Sequence, residues 1–309
     1  MTILITRGSA MLAGASPFKT LALLLAVIAA TCVGAQTGHA TTFSRTFVSN
    51  AGVSGNTAEG CSAASPCDTF AHALSMTSAG GEINCLNAGE FGTVTINQAV
   101  TINCGASSNG GITAIGITGI TIETTGAVIL IGLDINGMSA GGGNGVLILS
   151  NGSVNIRNCK IHGFQQTVAD DGAGIRFATG VSGGNLVVDN VLIAQDSYGI
   201  QQYADGAVSN MTVRNSNINN NGRDGITVTQ SGSAHAGATI EQTTLAFNSV
   251  VGLVVFGGVA VIGGSTIVNN VQGVTTIDGG SVYSFKNNQI GGNSTDGTPL
   301  TAYPGGPLN

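Results

Sequence analysis

The chain contains no Trp and only 5 Pro, and charged side chains make up just 8% of its 309 residues. So small a charged fraction excludes a highly charged disordered chain. The net charge of −6 offers no basic face for phosphates, so nucleic acid is not expected as a partner. The absence of Trp argues against tight aromatic platforms for sugars. With 49 Gly, no collagen period and 42% apolar residues, the composition favours a folded chain with a surface of Ser, Thr, Asn, Gln and Gly.

Long apolar runs are scarce, and the one that stands out covers residues 21–35, after Arg7 and Lys19. A run this short, followed by small residues, predicts a signal peptide at residues 1–40 rather than a membrane span. Two cleavage sites fit a small-x-small rule, after Ala35 and after Ala40, and we prefer the second. The mature chain is then exported without a spanning segment and is secreted, periplasmic or attached to the cell surface. An uncleaved membrane anchor is the alternative.

Cysteines are few, and five of them follow the predicted signal peptide. Export permits disulfides. Cys61 and Cys67 bracket a short loop and are the best pair, while Cys85 and Cys104 end two matching Ile-Asn-Cys phrases and are a second possible pair. Sequence alone does not decide among the pairings of these four. Cys159 shows no metal-ligand spacing, and we expect it to be buried as a small apolar residue.

One short phrase recurs along the chain: two apolar residues alternate with variable ones, a Gly, Asn or Gln follows, and another apolar residue closes it. We take its second apolar residue as the anchor. The anchors lie 22 to 32 residues apart and are Leu130, Ile156, Val188, Val213, Ile240, Ile262 and Phe285. A fixed period of short alternating strands is typical of a solenoid, in which each coil buries its apolar side against the next. The repeat therefore predicts an all-β solenoid of about ten coils.

The polar residues within the repeat have structural explanations. Asn215 and Asn221 are predicted to form bends, because Asn tolerates left-handed backbone and stacked amides can hydrogen-bond from coil to coil. One position after the anchors, successive coils carry alternating charges, at Arg157, Asp189, Arg214 and Glu241. We interpret this column as a charge ladder across coils rather than as an acid–base pair.

The repeat and the amino-terminal segment together carry a resemblance. Residues 66–83, PCDTFAHALSMTSAGGEI, predict a short helix that Asp68 caps and that buries Phe70, Ala73 and Leu74. With this cap the chain resembles the pectin-lyase-like group, and within it exported bacterial proteins without assigned activity. The resemblance implies a single-stranded right-handed parallel β-helix. It divides the chain into the signal peptide (1–40), an amino-terminal cap segment (41–80), the β-helix (81–292) and a Gly/Pro-rich tail (293–309).

Most motifs of the group's enzymes are missing. Its hydrolases resemble one another in Asn-x-Asp, a paired Asp, Gly-His-Gly and Arg-x-Lys. Here only Asp170-Asp171 and His162-Gly163 are similar, and they come in the wrong order. Its lyases use a carboxylate cluster for calcium, which takes about six to eight oxygen ligands, and no cluster that dense is visible in the sequence. We therefore expect no cofactor, and no motif supports calcium.

One surface of the repeat is polar over two or three coils. Each Gly-apolar pair opens a strand, and the residue after the pair points outward. In successive coils these outward residues are Leu147, Arg176, Gln201, Thr227, Val254 and Thr275. We call the polar middle of this surface, with its neighbours, the polar patch. Its predicted binding residues are Asp170, Arg176, Tyr198, Gln201, Tyr203 and Arg223, and its candidate catalytic residues are Asp171, Arg176 and Asp224.

These observations favour a monomeric, exported, non-enzymatic surface or binding protein that recognises polysaccharide. Arg and Tyr side chains suit uronate carboxylates and sugar hydroxyls. The alternative is a polysaccharide lyase or glycoside hydrolase acting on uronate-containing glycans. In that case Asp171 or Asp224 would act as acid or base, and Arg176 would bind the carboxylate. A solvated face without a ligand is the third interpretation of the polar patch.

Overall fold

The computed structural model describes residues 42–54, 60–105, 110–150, 152–168, 171–180 and 183–304. The predicted signal peptide lies outside these residues, as does Asp170. None of the helices among these residues has the length and hydrophobicity of a membrane-spanning segment.

The described chain forms a right-handed parallel β-helix, as the resemblance implies, with three strands in each turn. Sheet 1 contains β1 (Phe43–Val48), β2 (Thr77–Cys85), β5 (Val100–Asn103), β8 (Val128–Ile131), β11 (Ser153–Arg157), β14 (Gly184–Asp189), β17 (Val208–Arg214), β20 (His235–Glu241), β23 (Val259–Gly263), β26 (Ser281–Ser284) and β29 (Thr301–Ala302). Sheet 2 contains β3 (Gly89–Glu90), β6 (Gly110–Thr113), β9 (Leu133–Gly141), β12 (Lys160–Gln165), β15 (Leu192–Ala194), β18 (Asn217–Asn219), β21 (Thr244–Ala246), β24 (Thr266–Val268) and β27 (Gln289–Gly291). Sheet 3 contains β4 (Val94–Ile96), β7 (Ile120–Ile122), β10 (Val146–Ile148), β13 (Ala173–Gly180), β16 (Tyr198–Asp205), β19 (Ile226–Ser231), β22 (Val251–Phe256), β25 (Gln272–Ile277) and β28 (Thr295–Gly297).

Sheets 2 and 3 each hold nine strands. The described chain therefore completes nine turns, fewer than the about ten that the repeat predicts. Two short strands, β28 and β29, continue the sheets into the segment that the sequence predicts as a tail. They pair with β25 and β26 in the same parallel manner as the strands before them.

The anchors of the repeat lie on sheet 1, and their side chains face the core. The first six anchors are buried completely or nearly so: Leu130, Ile156, Val188, Val213, Ile240 and Ile262. In the last coil the inward residue is Ser284, which pairs with Ile262. Phe285 is half-buried and packs beside Tyr303, with ring centroids 5.2 Å apart. The prediction of Phe285 as an anchor is therefore wrong by one residue.

The bends between sheets 1 and 2 have left-handed backbone, as predicted. The φ angle is positive two residues after each of the first six anchors, at Gly132, Asn158, Asn190, Asn215, Gln242 and Gly264. In the last coil Lys286 takes this position, with a φ of 64°, because the inward register has moved back by one residue. Gly and Asn predominate at these bends because they tolerate left-handed backbone best.

A second column of Asn forms a buried ladder after sheet 2. The Nδ2 atom of Asn221 donates to Oδ1 of Asn248 at 2.9 Å, and Asn248 donates in the same way to Asn270 at 3.0 Å. Asn270 then donates to Asn293 at 3.1 Å. Asn221 is thus a ladder residue, and the left-handed backbone lies at Asn220 instead. The predicted bend role of Asn221 is wrong by one residue, whereas coil-to-coil bonding of amides is confirmed.

The amino-terminal cap contains one short helix, α1 (Phe70–Met76). Phe70, Ala73 and Leu74 are buried, as their spacing predicts. The residue that caps the helix is Thr69 and not Asp68, because the Thr69 side chain accepts a hydrogen bond from the amide of His72 at 3.3 Å.

Four cysteines form two disulfides in the cap and the first coils, Cys61–Cys67 and Cys85–Cys104. The first is the pair that the sequence favours, and the second is the pair that it leaves possible. Cys159 is a buried free thiol, as expected, and burial raises its pKa to about 11.

Over the residues that the structure describes, the charge column of sheet 1 contains one contact between charged neighbours, that of Arg214 with Asp189, so the predicted ladder is confirmed for this pair. The Arg214 guanidinium lies 3.0 Å from Oδ2 of Asp189, while Asn215 donates to Oδ1 of the same carboxylate at 3.0 Å. The hydrogen bond from Asn215 contributes most to lowering the pKa of Asp189, and the hydrogen bond from Arg214 lowers it further. Arg157 is the register partner of Asp189 on its other side. Because both carboxylate oxygens of Asp189 accept hydrogen bonds from the next coil, this residue stabilises the stacking of coils.

Candidate functional site

The polar patch lies on the outer face of sheet 3. Strand register pairs Leu147 with Arg176, Arg176 with Gln201, Gln201 with Thr227, and Thr227 with Val254. Polar side chains therefore stand next to one another on β13, β16 and β19, with an apolar residue on each side of them.

A groove of about 410 Å³ runs over these strands and is lined by Arg176, Gln201, Gln202, Tyr203, Thr227 and Thr229. The guanidinium Nη1 of Arg176 donates to Oε1 of Gln201 at 2.8 Å. Tyr203 is 36% exposed and is the register partner of Thr229. The side chain of Gln202 points inward, where it donates to the carbonyl of Ser209 at 2.8 Å. The groove thus combines a cation, an amide, hydroxyls and an aromatic ring on a rigid sheet.

The bends that lead into sheet 3 bring Tyr198 and Arg223 together. The guanidinium carbon of Arg223 lies 5.2 Å from the centre of the Tyr198 ring, which is a cation–π distance. The neighbouring Asp224 accepts a hydrogen bond from the amide of Val251 at 3.2 Å. Burial raises the pKa of Asp224, although the Val251 amide and the charge of Arg223 oppose the shift. This carboxyl is therefore easier to protonate than an ordinary aspartate.

Asp171 is buried and holds its own loop together. Its Oδ1 accepts a hydrogen bond from the amide of Thr167 at 2.9 Å, and its Oδ2 accepts one from the Thr167 hydroxyl at 2.8 Å. The amide of Val168 also donates to it at 3.3 Å. Among the described residues that line the Arg176 groove, neither Asp171 nor Asp224 is present. The structure therefore does not bring the predicted acid–base candidates into the same groove as Arg176.

A second polar cluster, on sheet 2, was missed by the sequence reasoning. His162 Nε2 lies 2.9 Å from Oδ1 of Asp134, and Lys160 Nζ lies 3.9 Å from Oδ2 of the same residue. With Glu90 they line a groove of about 460 Å³ beside Gly111. The repeat contains the signal, because Asp134 and Lys160 both lie four residues after an anchor and are register partners.

One group of three potential metal ligands occurs within the described part of the chain, at Cys61, Cys67 and His72. Its two cysteines are joined in a disulfide. Because thiolates are the form of cysteine that binds metals, this group does not fit a metal site in the oxidised protein.

Comparison with solved structures identifies two proteins with a similar backbone. The crystal structure of pectate lyase Pel9A has a TM-score of 0.54 and 14% identity, over 86% of this chain and 78% of the lyase. That of the Dettilon tailspike protein has a TM-score of 0.52 and 18% identity, over 69% of this chain; the match spans 43% of the tailspike chain. At these identities the likeness concerns the fold alone.

No curated protein matches the chain in sequence. The family model described as "right handed beta helix region" matches residues 118–290, which is more than half of the chain. The matched segment extends from the bend before β7 to β27 and includes every strand of the polar patch. The chain therefore belongs to the family of right-handed β-helix proteins.

Proposed function

We propose that the chain is an exported protein that binds polysaccharide, and that the groove around Arg176 and Gln201 is its binding site. The observation that carries the proposal is the Arg176 guanidinium, which Gln201 orients beside the exposed Tyr203 ring in a groove of about 410 Å³. A β-helix backbone shared with a pectate lyase supports a polysaccharide as the ligand class.

The chemistry of the groove favours a glycan that carries carboxylates. A guanidinium binds a carboxylate through charge-assisted hydrogen bonds, which are about twice as strong as neutral ones. The 2.8 Å bond to Gln201 restricts the Arg176 side chain before a ligand arrives, so less side-chain entropy is lost on binding. The Tyr203 ring offers a face for the C–H groups of a sugar, and Thr227 and Thr229 offer hydroxyls. Uronate-containing polysaccharides present all three kinds of partner.

A glycan array with uronate-containing and neutral polysaccharides tests this function. We expect the chain to bind uronate glycans and Arg176→Gln to weaken that binding about tenfold or more, since a charge-assisted hydrogen bond is lost. Arg45→Gln is the matched control, because Arg45 is exposed on sheet 1, where it contacts Glu82; its affinity should equal that of the wild type. No binding to any glycan, or equal binding by all three proteins, contradicts the proposal.

A lyase or hydrolase is the second candidate, and Asp224 is the observation that favours it. Burial raises its pKa, which is the direction that a general acid requires, and it lies at the bend leading into β19, the strand that carries Thr227. Incubation with uronate glycans, followed by ultraviolet absorbance for unsaturated uronate and by a reducing-sugar assay, distinguishes the two functions. Product that Asp224→Asn abolishes, and that Asp278→Asn at an exposed position leaves unchanged, would establish an enzyme. Binding without product would leave the recognition function.

A further inference from the structure

A second groove, of about 580 Å³, lies at the amino-terminal end of the same sheet. Leu74 and Ser75 of α1 line one side of it, and Thr95, Asn97 and Thr121 line the sheet side. All of the residues that line it are uncharged, and most carry a hydroxyl or an amide. Such a surface suits neutral sugar units, whose hydroxyls need donors and acceptors but no counter-charge.

The two grooves share one column of outward residues. Thr95 pairs with Thr121, Thr121 with Leu147, Leu147 with Arg176, and Arg176 with Gln201. Parallel strands lie about 4.8 Å apart, so Thr95 and Gln201 are separated by about 19 Å along the helix axis. One sugar unit advances a linear glycan by about one strand spacing, so a chain of about five units covers this distance.

The helix α1 ends the column on its amino-terminal side. β4 is the edge strand of sheet 3 among the described residues, and α1 packs against it. Gln98, which follows β4, donates to the carbonyl of Thr77 at 2.7 Å and to that of Leu74 at 3.3 Å. These bonds fix the carboxyl end of α1 beside the groove. A glycan that lies along sheet 3 therefore meets a wall at this end.

We propose that the groove under α1 is a terminal subsite that takes the uncharged end of a linear glycan, whose carboxylate-bearing unit lies at Arg176. This inference rests on the proposed polysaccharide-binding function and adds the class of glycan. The ligand has a neutral end and a uronate about three units from it, as the three strand spacings between Thr95 and Arg176 require. A glycan charged at every unit would place a carboxylate in the uncharged groove, where desolvation opposes its binding.

Titration with xylo-oligosaccharides of increasing length that carry one glucuronate, and with oligogalacturonates of equal length, tests the inference. We expect affinity for the former to increase up to about five units and then to level off. The oligogalacturonates should bind more weakly at equal length. Replacing Thr95 and Thr121 together by Val keeps the side-chain shape and removes two hydroxyls. That variant should lose about tenfold in affinity for the five-unit glycan and nothing for a fragment confined to the Arg176 groove.

Thr239→Val is the matched control, because Thr239 faces outward from sheet 1 and is half-buried, as is Thr121. Length-independent affinity, or unchanged binding in the Thr95 and Thr121 variant, overturns the terminal subsite while leaving the Arg176 site in place. If neither glycan series binds to the wild type, the proposed function itself fails.

Discussion

The backbone amide of Phe164 donates a hydrogen bond to Oδ1 of Asp196 at 2.8 Å, so an aspartate heads the ladder that Asn221 and Asn248 continue. In the Asn residues of the ladder, the atom at the corresponding position is the amide nitrogen Nδ2, and Nδ2 of Asn248 donates to the carbonyl of Ile218 at 3.3 Å. In Asp196 that position is held by Oδ2, which is a carboxyl oxygen. Oδ2 of Asp196 is buried without a hydrogen-bond partner among the described residues. Burial raises the pKa of Asp196 well above its ordinary value. The Asp196 carboxyl therefore holds a proton more readily in the folded protein than in the unfolded chain.

Replacing Asp196 by Asn should raise the free energy of unfolding at pH 7 by about 1–3 kcal/mol, because a neutral amide donor fills the ladder position. In the wild type the unfolded carboxyl ionises near pH 4 while the folded one keeps its proton. Stability is then complete below about pH 4 and falls as the pH rises, by about 1.4 kcal/mol per unit, until the folded carboxyl ionises. Urea unfolding from about pH 3.5 to 8 measures both effects.

The reverse substitution, Asn248→Asp, is the control for this prediction. It places a carboxyl beside the carbonyl of Ile218 and Oδ1 of Asn270, which are both acceptors. Stability should fall, and it should fall further as the pH rises. An Asp196→Asn variant that is less stable than the wild type at pH 7 would contradict the view that the unpartnered Oδ2 of Asp196 weakens the ladder.

The bend at Asn215, where φ is 52°, should prefer Gly to Ala. Both substitutions remove the hydrogen bond that Asn215 donates to Asp189, so their difference isolates the backbone. Left-handed backbone costs a residue with a Cβ about 1–2 kcal/mol, and Asn215→Ala should be less stable than Asn215→Gly by about that amount. Chemical denaturation measures the difference. Equal stabilities would show that the bend does not select its residue through φ.

The Cys85–Cys104 disulfide joins the ends of β2 and its neighbour β5, across 19 residues. Replacing both cysteines by Ala should lower the free energy of unfolding by about 3 kcal/mol, because a closed loop of this size restricts the unfolded chain. The Cys61–Cys67 loop spans 6 residues, and the same model gives it a smaller effect. Thermal unfolding of the two double variants, each compared with the oxidised wild type, measures the ranking. A larger loss from the shorter loop would contradict the entropic explanation.

The fold was predictable because the residue types that recur in each period are those that the backbone conformation and the core select. Asn and Gly occur at the left-handed bends, and buried anchors recur before them. The register of the last coil was predicted wrongly because Phe285 is apolar and fits the pattern of an inward residue. It instead packs outside the sheet against Tyr303, while the small Ser284 faces inward and Lys286 takes the bend. Apolar character alone does not distinguish an aromatic pair outside the sheet from a core position.

The candidate site was only partly predictable. The order of Leu147, Arg176, Gln201 and Thr227 follows from strand register, and register follows from the repeat. The role of Asp171 depends on the path of its loop, which brings the Thr167 hydroxyl to its carboxylate, and no periodic signal describes that path. The pairing of His162 with Asp134 needs a side-chain conformation as well as register. Sequence therefore locates columns of residues more readily than the contacts within a bend.

The Gly that opens each strand of sheet 3 is expected to be the least replaceable residue type in the coil. A Cβ added at Gly199 would collide with Cγ2 of Ile218 and with the carbonyl oxygen of Gly225 in the next coil. Neither atom can move away, because Ile218 is fully buried and the Gly225 carbonyl accepts a hydrogen bond from the amide of Ile200 at 2.9 Å. Gly199→Ala should therefore cost about 3 kcal/mol or more, the upper range for an overpacked core.

Gly291 provides the matched control for that substitution, because an added Cβ there meets no atom within 4 Å. Gly291→Ala should change the free energy of unfolding by no more than about 0.5 kcal/mol, the range of an ordinary surface substitution. Both variants lose the same backbone freedom in the unfolded state, so the difference between them in urea unfolding reports the steric contact alone. If Gly199→Ala were as stable as Gly291→Ala, neighbouring coils would have to move apart at this position. The Gly column would then reflect turn formation and not the close approach of stacked strands.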